Sequence, residues 1–158
     1  MIDDIDKKIL ALLQKDCTLP ATEIASRVGL SATPCWRRIQ KLEEEKFIRS
    51  RVALLDSVKL NVDVTAFIAV RTNQHNRAWL DKFEKAVSDM DEVVDFFRLS
   101  GDIDYLIRVA LPNIKAYDAF YKRLIEKVDM SDVNCMFAME TIKSTTELPL
   151  HYAETKLR

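Results

Sequence analysis

Residues 21–44 read ATEIASRVGLSATPCWRRIQKLEE. Within residues 21–28, Ile24, Ala25 and Val28 repeat at i, i+1 and i+4, and Gly29 then supplies the left-handed residue that ends a helix. Ser31, Thr33 and Pro34 restart the chain. Thr33 is expected at the cap and Pro34 at the first helical position, where a missing N–H costs nothing. The helix that follows should run to about Glu45. At 100° per residue, Cys35, Ile39 and Leu42 share one narrow side, while Thr33, Arg37, Gln40, Lys41 and Glu44 fall opposite. Upstream, Asp3 and Asp6 with Ile5, Ile9, Leu12 and Leu13 at helical spacing predict a capped amphipathic helix of about three turns. Three short helices with a tight glycine turn before the last form a helix-turn-helix pattern, whose final helix enters the major groove of DNA. Its outer face carries groups able to bond base edges or phosphates. Ser31, Thr33, Arg37, Arg38, Gln40 and Lys41 are the candidate DNA contacts, with Arg37 and Gln40 on bases and Arg38, on a flank, on phosphate. Trp36, on the other flank, can pad the core or lean on DNA; core packing is the expectation, since a large aromatic is usually more useful buried.

Outward from this motif, residues 47–55 are β-prone and suggest a hairpin wing or a strand leaving the DNA-binding part, and residues 57–63 loosen into a linker. The remainder alternates. Strands are expected over 64–72, 93–100, 105–111 and 133–143, and helices over 78–88 and 114–128, with Gly101 turning the chain between the second and third strands. The order βαββαβ is the ferredoxin-like arrangement, so the fold class is α+β.

Composition narrows the function. The chain has 158 residues, 48% hydrophobic and 31% charged, with no apolar run near the roughly 20 residues that cross a bilayer, which excludes a membrane role and points to the cytoplasm. The two glycines, Gly29 and Gly101, are too far apart for a phosphate-binding loop. Cys17, Cys35 and Cys135 fit reduced thiols, and neither they nor His75 and His151 have metal-ligand spacing, so no metal and no cofactor is expected. No nucleophile has an adjacent base, which argues against an enzyme. Residues 1–60 carry 11 basic and 9 acidic side chains, whereas the rest carries 13 and 16. Within 27–51, seven basic residues face three glutamates, the footprint a polyanion would use.

The runs Gly29-Leu30-Ser31, Thr33-Pro34-Cys35, Arg38-Ile39, Leu42-Glu43, Ile48 and Ala53-Leu54-Leu55 resemble the Lrp/AsnC family of transcription regulators. Farther on, Gly101-Asp102-Ile103-Asp104-Tyr105 is similar to the family's Gly-x-x-Asp-Tyr turn, and Thr145-Thr146-Glu147-Leu148-Pro149 to its tail. Within the family the cysteine-responsive DecR-like branch is nearest, through Thr33-Pro34-Cys35-Trp36, Val52-Ala53-Leu54-Leu55-Asp56, Tyr117-Asp118 and Phe137-Ala138-Met139-Glu140. The resemblance implies a winged helix-turn-helix over 1–50, a hinge strand and linker over 51–63, and a ferredoxin-like effector-binding and oligomerisation domain over 64–158. The implied partners are double-stranded DNA, a small amino-acid effector and further copies of the chain, as a homodimer assembling into an octamer. The sequence departs from the family at Lys46, where glycine is usual, at Pro20, where a Ser or Thr cap is usual, and at Val133 and Cys135, where hydroxyls occur.

The effector pocket is expected beside the Gly101 turn. Gly101 would offer amides to a carboxylate, Asp102 or Asp104 would hold an ammonium, and Tyr105 and Cys135 would complete the wall. Both aspartates can instead serve only to bond the turn's backbone. Cys135 in place of a hydroxyl implies a small, less polar pocket and makes cysteine the first effector to try. The alternative function is a metabolite-binding oligomeric scaffold whose helix-turn-helix packs against protein.

Overall fold

The computed structural model describes residues 2–74 and 76–154, which divide into two compact units. His75, named among the metal-ligating types, lies outside the described residues.

The first unit holds the residues up to Leu54 and, from Lys143, the described C-terminal residues. Helix α1 (Asp4–Leu13) begins as the sequence predicts: the Asp3 carboxylate accepts from the Asp6 amide at 2.8 Å, and Asp6 accepts from the Asp3 amide at 3.0 Å, a reciprocal cap. Helix α2 (Ala21–Val28) ends on Gly29 at φ 75°. Pro20 precedes it with no side-chain cap, and the nearby Thr18 bonds the Asp16 carboxylate through its amide and hydroxyl. Helix α3 (Ala32–Glu44) starts two residues earlier than expected: Ser31 holds the cap position, and Thr33 and Pro34 lie inside the first turn. Three residues without intrahelical N–H partners begin any helix, so Pro34 is tolerated there as well. Ile9, Leu13, Ile24, Ala25, Cys35, Ile39 and Leu42 close the core, and burial holds the Cys35 thiol above its usual pKa.

Two expectations for this unit are corrected. Residues 47–55 form no strand, so no wing appears: Lys46 adopts φ 61°, a left-handed conformation that glycine takes most easily, and the chain then runs out with Val52, Leu54 and Leu55 exposed. A strand needs a ladder partner, and none is offered among the described residues of this unit. The second is the tail, expected to belong with residues 64–142. Leu150 and Ala153 pack on the helical core, and the Gln14 side chain exchanges hydrogen bonds with Leu148, accepting from its amide at 3.0 Å and donating to its carbonyl at 3.3 Å.

The second unit, Leu55–Ile142, opens with an Asp56-capped turn in place of a loose linker. Strands β1 (Val64–Arg71), β2 (Val93–Arg98), β3 (Tyr105–Leu111) and β4 (Asp132–Phe137) form an antiparallel sheet in the order β2-β3-β1-β4, the ferredoxin-like arrangement, with helices α4 (Arg77–Ser88) and α5 (Ile114–Lys127) as its crossovers. β4 stops at Phe137, six residues short of expectation, where its pairing with β1 ends. Alternation assigns the faces. Ala66, Ile68, Val70, Tyr105, Ile107 and Val109 are buried with Phe83, Val87, Phe120 and Leu124 of the helices. Phe67, Phe97, Leu106 and Met136 stand on the other face, where no element of this unit covers them; Phe97 and Met136 are about half exposed.

Candidate nucleic-acid interface and effector turn

The outer side of α3 is built by its inner side. Cys35, Ile39 and Leu42 are at most 4% exposed and fix the helix's rotation, which turns Thr33, Arg37 and Lys41 to solvent on one line, with Gln40 beside them half-buried. Ser31, at the helix start, is exposed and makes no cap bond, so its hydroxyl and the first amides of α3 remain available to an anion. Arg37 has no hydrogen-bond or ion-pair partner among the described residues. Lys41 lies 3.6 Å from Glu45 in an exposed pair that costs little to break. Gln40 makes only a long 3.4 Å contact to Glu43. The basic groups Arg37, Arg38 and Lys41 lie in the middle of α3, and Glu43, Glu44 and Glu45 at its end would repel phosphate there.

Arg38 departs from its expected role. Its guanidinium donates to Asp3 at 2.7 Å and to Asp6 at 2.8 Å, tying α3 to the cap of α1. Burial acts to raise the Asp3 carboxyl, but the Asp6 amide and Arg38 outweigh it and hold Asp3 below its ordinary value; the same carboxylates push Arg38 up. A guanidinium already shared by two carboxylates is a poor phosphate clamp. Trp36 departs too: it is 53% exposed, not packed in the core. Sequence periodicity placed both on flanks at nearly equal rank, and only the position of α1 decides which flank is covered.

The Gly101 turn joins β2 to β3, with Gly101 at φ 134°, a region that disfavours any side chain. Asp104 works for the backbone: its carboxylate accepts from the Thr72 amide at 2.8 Å, its carbonyl from Leu99 at 2.8 Å, and its amide donates to Val70 at 3.0 Å. Asp102 gives its carbonyl to Arg71 at 2.7 Å and leaves its carboxylate exposed and without a partner among the described residues. Tyr105 is 6% exposed, its ring against Trp79, Phe83 and Phe96; it also lines a cleft of about 200 Å³ with Glu84, Ser88, Phe96 and Arg98. Cys135 pairs across the sheet with Ile68, faces the helices and is hydrogen-bonded to Tyr117. Burial raises both groups, Tyr117 strongly. The structure therefore brings Gly101, Asp102 and Asp104 together, buries Tyr105 and leaves Cys135 partly buried against the helices.

No helix among the described residues is long and apolar enough to cross a membrane. Residues 2–43 match the AsnC-type helix-turn-helix domain, and residues 65–148 match the Lrp/AsnC ligand-binding domain. The chain is 47% identical over 151 residues to the DNA-binding transcriptional activator DecR of Escherichia coli, spanning 95% of this chain and 99% of that one. A crystal structure of an AsnC family transcriptional regulator from Agrobacterium tumefaciens superposes with a TM-score of 0.94 at 57% identity, covering 97% of this chain and 100% of the other. A Neisseria meningitidis transcriptional regulator solved with L-Met superposes at 0.91 and 33% identity, covering 96% and 98%. Two matched domains in sequence and relatives spanning both lead to one statement: the chain belongs to the Lrp/AsnC family of DNA-binding transcriptional regulators.

Proposed function

We propose that this regulator reads an operator with Ser31, Thr33, Arg37, Gln40 and Lys41 and that a small amino acid modulates it through the Gly101 turn. The observation that carries the first half is Arg37, without a partner among the described residues, at the centre of an exposed polar line on α3 whose back is fixed by a buried apolar one. Arg37 and Gln40 suit bidentate base contacts, whereas Ser31 and the helix start suit phosphate. Arg38 is assigned to holding α3 on α1. Binding to duplexes selected from a random-sequence pool tests the reading: affinity should fall steeply with salt and depend on sequence.

For the effector, Gly101 and Asp102 are the proposed contacts and Asp104 the positioning residue. The free Asp102 carboxylate supports an ammonium site there, and exposed turn amides suit a carboxylate. The Neisseria relative's L-Met makes a sulfur-bearing amino acid a sensible first ligand, and cysteine, the effector suggested by the sequence resemblance, belongs beside methionine in the panel. Cys135, partly buried on the helix side of the sheet and bonded to Tyr117, is left out of these proposed contacts. Calorimetric titration with a panel of amino acids tests the assignment.

Assembly is proposed through the open sheet face. Phe67, Phe97, Leu106 and Met136 form an apolar surface beside the Arg108–Asp95 pair, suited to a second copy meeting it as a homodimer, with the octamer as the higher assembly. A DNA-binding regulator of this kind works in the cytoplasm, where its operator is.

A further inference from the structure

We propose that Trp36 is a base-reading residue, its indole packing on a thymine methyl in the major groove. The inference rests on α3 entering that groove and adds a residue whose position the sequence left open. At 100° per residue, Trp36 stands about 40° from Gln40 and about 60° from Thr33 around the helix, on the side away from Arg38. It precedes Arg37 directly, so it lies at the level of α3 where that exposed guanidinium is, several residues from Glu43, Glu44 and Glu45.

Its surroundings give the indole no task within this unit. Trp36 is 53% exposed, it stands in no aromatic pair, and its indole N–H has no hydrogen-bond partner among the described residues. Trp79, the other tryptophan, shows the contrast: its ring stacks near Phe83 at 4.9 Å, and its Nε1–H donates to the Asp129 carbonyl at 2.8 Å. An exposed, uncommitted indole beside an unpaired arginine is placed for what that arginine meets. The occupant follows from the chemistry of the groove. Thr33, Arg37 and Gln40 meet donors and acceptors on base edges, but an uncharged indole face has an apolar surface to bury, and the C5-methyl of thymine is the apolar group displayed there. The indole N–H adds one donor for a neighbouring acceptor.

The test starts from duplexes that the full-length wild type selects from a random-sequence pool. Each thymine of the selected duplex is replaced in turn by deoxyuridine, which removes the methyl and leaves pairing intact, and binding is measured for wild type, Trp36→Phe and Trp36→Ala. Wild type should lose about fourfold at one position per half-site, the value of one buried methyl. Trp36→Phe should keep most of that loss, and Trp36→Ala should show none and should select a pool without thymine there. An exposed residue's removal should leave the melting temperature near its wild-type value. A wild type indifferent to every deoxyuridine overturns the proposal without reference to any variant. So does a Trp36→Ala profile identical to wild type, a loss spread evenly over all sequences, or a changed oligomeric state with the thymine profile intact, which would make Trp36 a protein contact. A wild type that selects no sequence at all defeats the reading of α3 itself, a different result from a selected sequence that ignores Trp36.

Discussion

The helical unit and the sheet unit finish their cores differently. In the first, three helices and the tail close around Ile9, Ile24, Cys35 and Ile39, and the outward side of α3 is left with short polar and basic groups. In the second, two helices cover one face of the sheet and the other keeps Phe67, Phe97, Leu106 and Met136. A helix can hide its apolar stripe and present a polar one, but a sheet covered on one side presents whatever its alternate residues are. Each unit thus exposes a different kind of surface, one suited to a polyanion and the other to an apolar face.

The comparison breaks most visibly at the open sheet face. Phe97→Asp combined with Leu106→Asp should weaken self-association on the order of 100-fold or more, because two carboxylates would have to be desolvated at the contact, and sedimentation would read the loss. Unchanged assembly would remove that face from the interface. Next in size is Asp102→Ala, which should lower amino-acid affinity by about 2 kcal/mol in calorimetry if its carboxylate holds the ammonium. Unchanged affinity takes Asp102 out of the site.

Smaller effects sharpen the picture within each unit. Gly101→Ala meets no atom within 4 Å of the new Cβ, so its cost is the strained φ of 134° alone, about 1 kcal/mol of unfolding free energy. A larger loss would mean that the turn is packed more tightly than it stands here. Arg38→Ala should cost about 1 kcal/mol by removing a partly exposed bridge between α3 and the α1 cap. Acid should reveal the same bridge. With Asp3 held below its ordinary 3.8, its stabilisation is complete above that value and is lost as pH falls below it, through the lower folded pKa. The acid limb of a stability-versus-pH curve should accordingly be shallower in Arg38→Ala; an identical limb would mean that Asp3 is held by its amide bond alone.

What the sequence made legible followed local rules. The Asp3–Asp6 box, the Gly29 stop, the bounds of α2 and β3 and the strand order were all readable, because caps, left-handed turns and alternation act over a few residues. What it hid depended on distant partners. Trp36 and Arg38 sit on equivalent flanks of one helix, and the approach of Asp3 and Asp6 sends one to a carboxylate pair and leaves the other in solvent. The β-prone stretch at Val52 has no ladder to join among the described residues of its own unit, and the tail's Leu150 finds its apolar neighbours more than a hundred residues away in sequence. In the effector turn, Gly101 was readable and the backbone role of Asp104 was one of two readings left open, while the inward direction of Cys135 required the register Ile68↔Cys135.

The account's central claim is that two adjacent arginines divide the work of α3, Arg37 outward on DNA and Arg38 inward on α1. It is tested most directly by measuring base discrimination on the selected duplex and on single-base variants of it, for Arg37→Ala and Arg38→Ala in parallel. The account predicts that Arg37→Ala loses about 1–3 kcal/mol of preference at one base pair with its melting temperature unchanged, while Arg38→Ala keeps the preference and melts lower. Loss of preference in Arg38→Ala at unchanged stability, with Arg37→Ala discriminating as wild type does, would contradict it.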